Sequence, residues 1–167
     1  MTAVKPCPLP EDALLREAVR DGAYTDCFAT DVGRVVTHAQ FVEAFYTSRL
    51  FRVERFILAC AMRRKFKDAD AKRLADGDAD TFAAWRVEAR AANQLLLADI
   101  HGRTRSWLMT AALAQGAGTR LHFGSAVGPK RDGATGSRSM GFAFHALLGF
   151  HKAYSRALLR AAVARLR

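Results

Sequence analysis

The feature that most limits the fold lies in the middle of the chain. From Phe82 to Val127 the apolar period shifts from helical to two, and turn residues cut the stretch into alternating runs. The runs are Phe82–Arg90, Gln94–Ile100, Arg103–Ala112 and Thr119–Val127, with Asn93, His101-Gly102 and Gln115-Gly116-Ala117-Gly118 between them. Connections this short cannot hold a crossover helix, so the strands form an antiparallel meander. Alternation sets Trp85, Val87 and Ala89 against Arg86, Glu88 and Arg90. It also pairs Arg105 with Trp107 on one face of the third run, and Arg120 with His122 on one face of the fourth.

A half-apolar sheet needs a cover. Residues Gly141 to Arg165 read as a long helix. Phe144, Leu147, Leu148, His151, Ser155, Leu158, Leu159, Ala162 and Leu166 form one stripe of it, and Lys152, Arg156, Arg160 and Arg167 another. Before the meander come a short helix after Pro10 that ends at Asp21-Gly22, a strand over Tyr24–Asp31, and a helix capped by Thr37 and Gln40. That helix is interrupted at Thr47-Ser48 and resumes through Ala61; a further helix starts at Asp68 and stops at Gly77. Residues 1–10, with three prolines, read as a flexible tail ahead of a single domain over 11–167, and residues 128–139 as a mobile loop. The fold class expected from this order is α+β.

The segments YTDCFATDV, FVEAFYTSRLFRVERFIL, FAAWRVEAR, QLLLADIHGRTRSWL, TRLHFGSAV and LLGFHKAYSRALL, which span most of residues 24–163, resemble a group of bacterial proteins known only as a domain of unknown function. The layout is similar to the START-like (SRPBCC) superfamily of polyketide cyclases, lipid-transfer proteins and plant hormone binders. That resemblance implies a helix-grip fold, in which a curved antiparallel sheet wraps the C-terminal helix around an internal cavity. The chain departs from the plan in showing fewer strands, five, and extra helices after the first strand, including an inserted one over Asp68–Asp80.

Within such a cavity His151, one turn beyond Leu147 and Leu148, would be a hydrogen-bonding group or general base. The bland alternative is a core histidine satisfied by a neighbouring side chain or carbonyl. Trp85, Trp107, His122, Phe144, Leu148 and Ser155 would line the cavity with it. If Trp107 points inward so does Arg105, which would seek Glu88 or Asp99, or anchor an acidic ligand. The function expected is binding of a small, largely apolar or amphipathic ligand. A cyclase or dehydratase in the same cavity is the alternative, with His151 or His122 as acid–base and Arg105 or Asp99 as partner.

Charge supplies a third alternative. Lys plus Arg number 26 against 16 Asp plus Glu, a formal net charge of +10. The basic stripe of the last helix could meet an anionic membrane or nucleic acid. No base-reading motif accompanies it, so nucleic acid is not the expected partner. The remaining exclusions are short. Cofactors are not expected: His145 and His151 are wrongly spaced for a helical metal clamp, and no HExxH, GxSxG or phosphate-loop frame occurs. No apolar run approaches the roughly 20 residues a transmembrane helix needs. Three cysteines without CxxC spacing and an N-terminus without an apolar leader fit a cytoplasmic protein, with Cys27 and Cys60 as small core residues.

Overall fold

The computed structural model describes residues 3–53, 67–128, 130–131, 138–139 and 142–166; side chains are described for these except at 115, 130–131, 138–139 and 142–148. Seven strands form one antiparallel sheet in the order β1-β2-β7-β6-β5-β4-β3. They are β1 (Lys5–Pro6), β2 (Tyr24–Val32), β3 (Thr81–Phe82), β4 (Trp85–Ala91), β5 (Gln94–Asp99), β6 (Thr104–Ala112) and β7 (Thr119–Val127). The helices are α1 (Arg16–Arg20), α2 (His38–Tyr46), α3 (residues 49–53 as described), α4 (Asp68–Asp76) and α5 (Phe142–Arg165). A separate ladder joins β8 (Lys130–Arg131) to β9 (Arg138–Ser139) inside the expected loop.

The meander forms as its period dictates, and the first long strand closes on its last one. Tyr24 pairs with Val127 and Val32 with Thr119. Because side chains alternate, this register sends Tyr24, Asp26, Phe28 and Thr30 to the same face as Leu121, Phe123 and Ser125. That face carries the larger core: Phe28, Leu95, Leu97, Leu108, Leu121 and Phe123 pack under Phe41, Phe45 and Tyr46 of α2 and under Leu158, Leu159 and Ala162 of α5. Helix α5 lies along β2 and β7, with α2 beside it over β6 and α4 reaching β3.

Local chemistry places these helices. The Thr37 side chain accepts from the Gln40 N–H at 3.2 Å, and Gln40 returns a bond to the Thr37 N–H at 3.0 Å. The Ser48 hydroxyl accepts from Phe51 N–H at 3.3 Å, so the chain restarts as helix after the break. Helix α4 ends at Gly77, whose φ of 87° is the left-handed conformation that glycine adopts without steric cost. Expected positions from Phe56 to Lys65, Cys60 among them, lie outside the described residues.

The sheet has seven strands where five are expected, because Lys5–Pro6 joins it and the Phe82–Arg90 run divides into β3 and β4. Two further expectations change. Residues 3–10 of the expected tail do not stand off: Lys5 and Pro6 pair with Ala29 and Phe28, and Val4 is buried. Proline is tolerated there because an edge strand can spare one donor. The stretch then crosses the second sheet face, where Ala13, Leu15 and Ala18 pack on Cys27, Leu96, Trp107, Met109 and Ala126. Gln94 ties the two together: its Oε1 accepts from Trp107 Nε1–H at 2.9 Å and Leu14 N–H at 3.0 Å, and its Nε2 donates to the Asp12 carbonyl at 3.0 Å. Gly124 lies in this contact, where an added Cβ would come within 2.8 Å of Leu15 and 2.9 Å of Trp107.

The second change is in β4. Val87 opposes Leu97 but Ala89 opposes Leu96, so Glu88 is an extra, bulged residue. Alternation reverses there. Ala89 turns to the α1 face, while Arg90 turns to the helix face and donates to the carbonyls of Leu74 and Ala79, both at 2.9 Å.

Candidate functional site

The sheet separates the residues expected to meet in one cavity. Arg105, Trp107 and His122 all lie on the α1 face, away from α5, because Met109 pairs with His122 and Trp107 with Gly124 in the register of β6 and β7. Trp107 is covered by the N-terminal residues, Arg105 and Trp107 are hydrogen-bonded, and the buried Nδ1 of His122 has no partner among the described residues. Arg105 makes a two-pronged bond to Glu88 at 2.6 and 2.9 Å, the carboxylate partner expected for it. Trp107 bonds Gln94, and its ring lies 6.1 Å from that of His122. Burial, and then Arg120, hold His122 below its ordinary pKa. Asp99 accepts from the backbone N–H groups of Arg103 and Thr104, closing the β5–β6 turn.

Trp85 is on the helix face, beside the larger core, but on β4, four strands across from β2. Phe144 and Leu148 lie on α5, with side chains outside the described set. His151 and Ser155 are where the stripe puts them, facing β2 and β7.

There they meet residues that periodicity alone did not single out. Asp26 and Ser125 are directly opposite in the register and both buried. Asp26 Oδ1 accepts from the Ser125 N–H at 3.2 Å and its hydroxyl at 2.7 Å; Oδ2 accepts from the Ser155 hydroxyl at 3.4 Å. His151 Nε2 is 2.8 Å from Ser125 Oγ and 3.5 Å from Asp26 Oδ2. Since Ser125 gives its one proton to Asp26, it can only accept from His151, which assigns the imidazole proton to Nε2. The Nδ1 atom has no bond among the described residues, and the side chain is 26% exposed. The Tyr24 ring meets the imidazole edge-on with centroids 6.2 Å apart. Burial, and then the Asp26 charge, raise the Tyr24 pKa.

This is not a nucleophilic triad. There the carboxylate holds one imidazole nitrogen and the serine meets the other. Here carboxylate and serine both sit at Nε2. The arrangement orients the ring, places a negative charge beside any imidazolium, and leaves Nδ1 as the working acceptor.

One turn along α5, Arg156 leaves the basic stripe. Its guanidinium lies over the Phe28 ring at 5.2 Å, and its buried Nε has no partner. Lys152 and Arg160 remain exposed. Thr30, further along the same strand face as Asp26 and Phe28, also has a buried hydroxyl oxygen without a partner. Buried unpaired polar atoms are costly, and each calls for a partner; Trp85 Nε1 and His122 Nδ1, both away from this side of α5, are two more. The sequence hint for Asp26 was a carboxylate two residues before Phe28 on a strand whose pairing with β7 the meander alone does not reveal.

Comparison with family models, with curated proteins and with solved structures returned no match.

Proposed function

We propose that this chain is a helix-grip, START-like protein that binds a small, largely apolar ligand bearing an acidic or hydrogen-bonding group, between α5 and strands β2 and β7. The observation that carries the reading is the paired set on α5: among the described residues His151 Nδ1 has no bond and the buried Nε of Arg156 no partner, and the Arg156 guanidinium lies over the Phe28 ring. An anion beside Arg156 would supply the acceptor that its Nε lacks. Phe28, Phe123 and the surrounding apolar core suit a hydrocarbon body. Arg105, already committed to Glu88, is not the anchor in this reading.

The second reading, a cyclase or dehydratase, draws on one specific feature. Asp26 beside a proton-accepting imidazole is the environment a general base needs, since the carboxylate compensates the charge the ring acquires. Native mass spectrometry of the purified chain for a co-purified small molecule tests both readings together. A bound apolar acid supports them. A chain that carries none, and that binds no dansyl-labelled undecanoic acid, counts against them.

A further inference from the structure

The pairing of β1 with β2 brings together two cysteines that are 20 residues apart in sequence. Lys5 opposes Ala29 and Pro6 opposes Phe28, so the next pair in register is Cys7 and Cys27. The Cys7 N–H donates to the Cys27 carbonyl at 3.0 Å, and the two sulfurs are 3.2 Å apart. Directly opposed residues of a hydrogen-bonded antiparallel pair have Cα atoms about 5.5 Å apart, inside the range a disulfide spans. Both thiols are free. Cys27 is buried while Cys7 is half-buried at the sheet edge, so a reagent in solvent reaches Cys7 first.

We propose that Cys7 and Cys27 are a reversible dithiol–disulfide site, oxidised by exchange with a low-molecular-weight disulfide and fastening the N-terminal segment to the sheet. The Cys7 thiolate attacks one sulfur of the small disulfide and expels a thiolate, leaving a mixed disulfide on Cys7. Cys27 then loses its proton and attacks Cys7 Sγ, expelling the second thiolate. Two protein thiols lose two electrons, and the small disulfide gains them as two thiols. The order of attack fits the local chemistry. The hydrogen bond between the two thiols, aided by the Arg120 charge, lowers the Cys7 pKa, whereas Cys27 is pushed up by the same hydrogen bond and by burial.

The bond would close a loop containing α1 and the residues over Trp107. Loop closure of this length raises the melting temperature of a chain this size by roughly 6–12 °C.

The test equilibrates the full chain with glutathione at graded oxidised-to-reduced ratios, then alkylates it and reads intact mass and tryptic peptides. The expected result is a link between peptides 1–16 and 21–34, two fewer alkylations, and a rise in melting temperature that dithiothreitol reverses. Cys60→Ser should retain all three. Cys7→Ser and, separately, Cys27→Ala should abolish the link and the rise; Cys7→Ser, at a half-buried site, keeps the comparison valid if Cys27→Ala folds poorly. A lasting glutathione adduct on Cys7, a link through Cys60, or a link between two chains would overturn the proposal.

Discussion

His151 Nε2 lies 2.8 Å from Ser125 Oγ, and the Ser125 hydroxyl donates its hydrogen bond to Asp26 Oδ1 at 2.7 Å. The direction of these bonds sets what each residue is worth. Asp26 is the acceptor for the Ser125 N–H, the Ser125 hydroxyl and the Ser155 hydroxyl. Asp26→Ala should therefore destabilise by about 2–4 kcal/mol, since buried donors lose their acceptor. His151→Ala should cost only about 1 kcal/mol or less, because Ser125 keeps Asp26 and the ring is part-exposed. Urea unfolding of the two variants checks the ranking. Equal costs would mean that the proton directions are wrong.

Gln94 should be the most sensitive polar residue on the other face. Gln94→Leu leaves Trp107 Nε1–H, Leu14 N–H and the Asp12 carbonyl without their bonds. A loss of about 2–4 kcal/mol is expected, with a changed near-ultraviolet circular dichroism band from Trp107. An unchanged band would show that the N-terminal segment does not depend on this clamp.

Gly124→Ala should cost about 1–3 kcal/mol through overpacking, because the new methyl meets Leu15 and Trp107 at the sheet centre. Trimming Leu15 to Val in the same chain should recover part of that loss. If the double variant shows no recovery, the two side chains are not in contact.

Stability should decline on mild acidification. His122 and His38 both have pKa values lowered below the ordinary 6.5, chiefly by burial. Between the folded and unfolded values the unfolded chain binds more protons, so unfolding free energy rises with pH and reaches its full value above about 6.5. Stability is thus lost as pH falls below that point. The contribution of Asp31, whose pKa Arg120 lowers, is lost only below the ordinary carboxylate value of 3.8. Melting temperatures from pH 8 to 5 should fall for the native chain and fall less for His122→Leu, which also removes an unpartnered buried Nδ1.

Most of the architecture was legible because it rests on period and turn chemistry. The meander, the Thr37–Gln40 cap, the Gly77 stop and the face of α5 carrying Ser155, Leu158, Leu159 and Ala162 all follow from local pattern. What sequence could not give was pairing at a distance. Nothing local says that β2 closes on β7, so Asp26 and Ser125 did not stand out beside His151. Alternation also fixes which residues share a face without saying which face is covered by what. Alternation therefore puts Trp107 and His122 together but not under the long helix: both lie on the opposite face, where the proline-rich N-terminus covers Trp107. The bulge at Glu88 and the inward turn of Arg156 are departures from a regular period that no periodic reading anticipates.

The central claim is that ligand binds against α5 on the β2–β7 side, anchored by Arg156. Fluorescence titration with dansyl-labelled undecanoic acid tests it most directly, comparing the native chain with Arg156→Gln and Arg105→Gln at matched melting temperature. The account predicts saturable binding that weakens at least about tenfold in Arg156→Gln, as expected for loss of a desolvated charge-assisted bond, and is unchanged in Arg105→Gln. Binding that survives Arg156→Gln intact, or that is lost with Arg105→Gln, would contradict it.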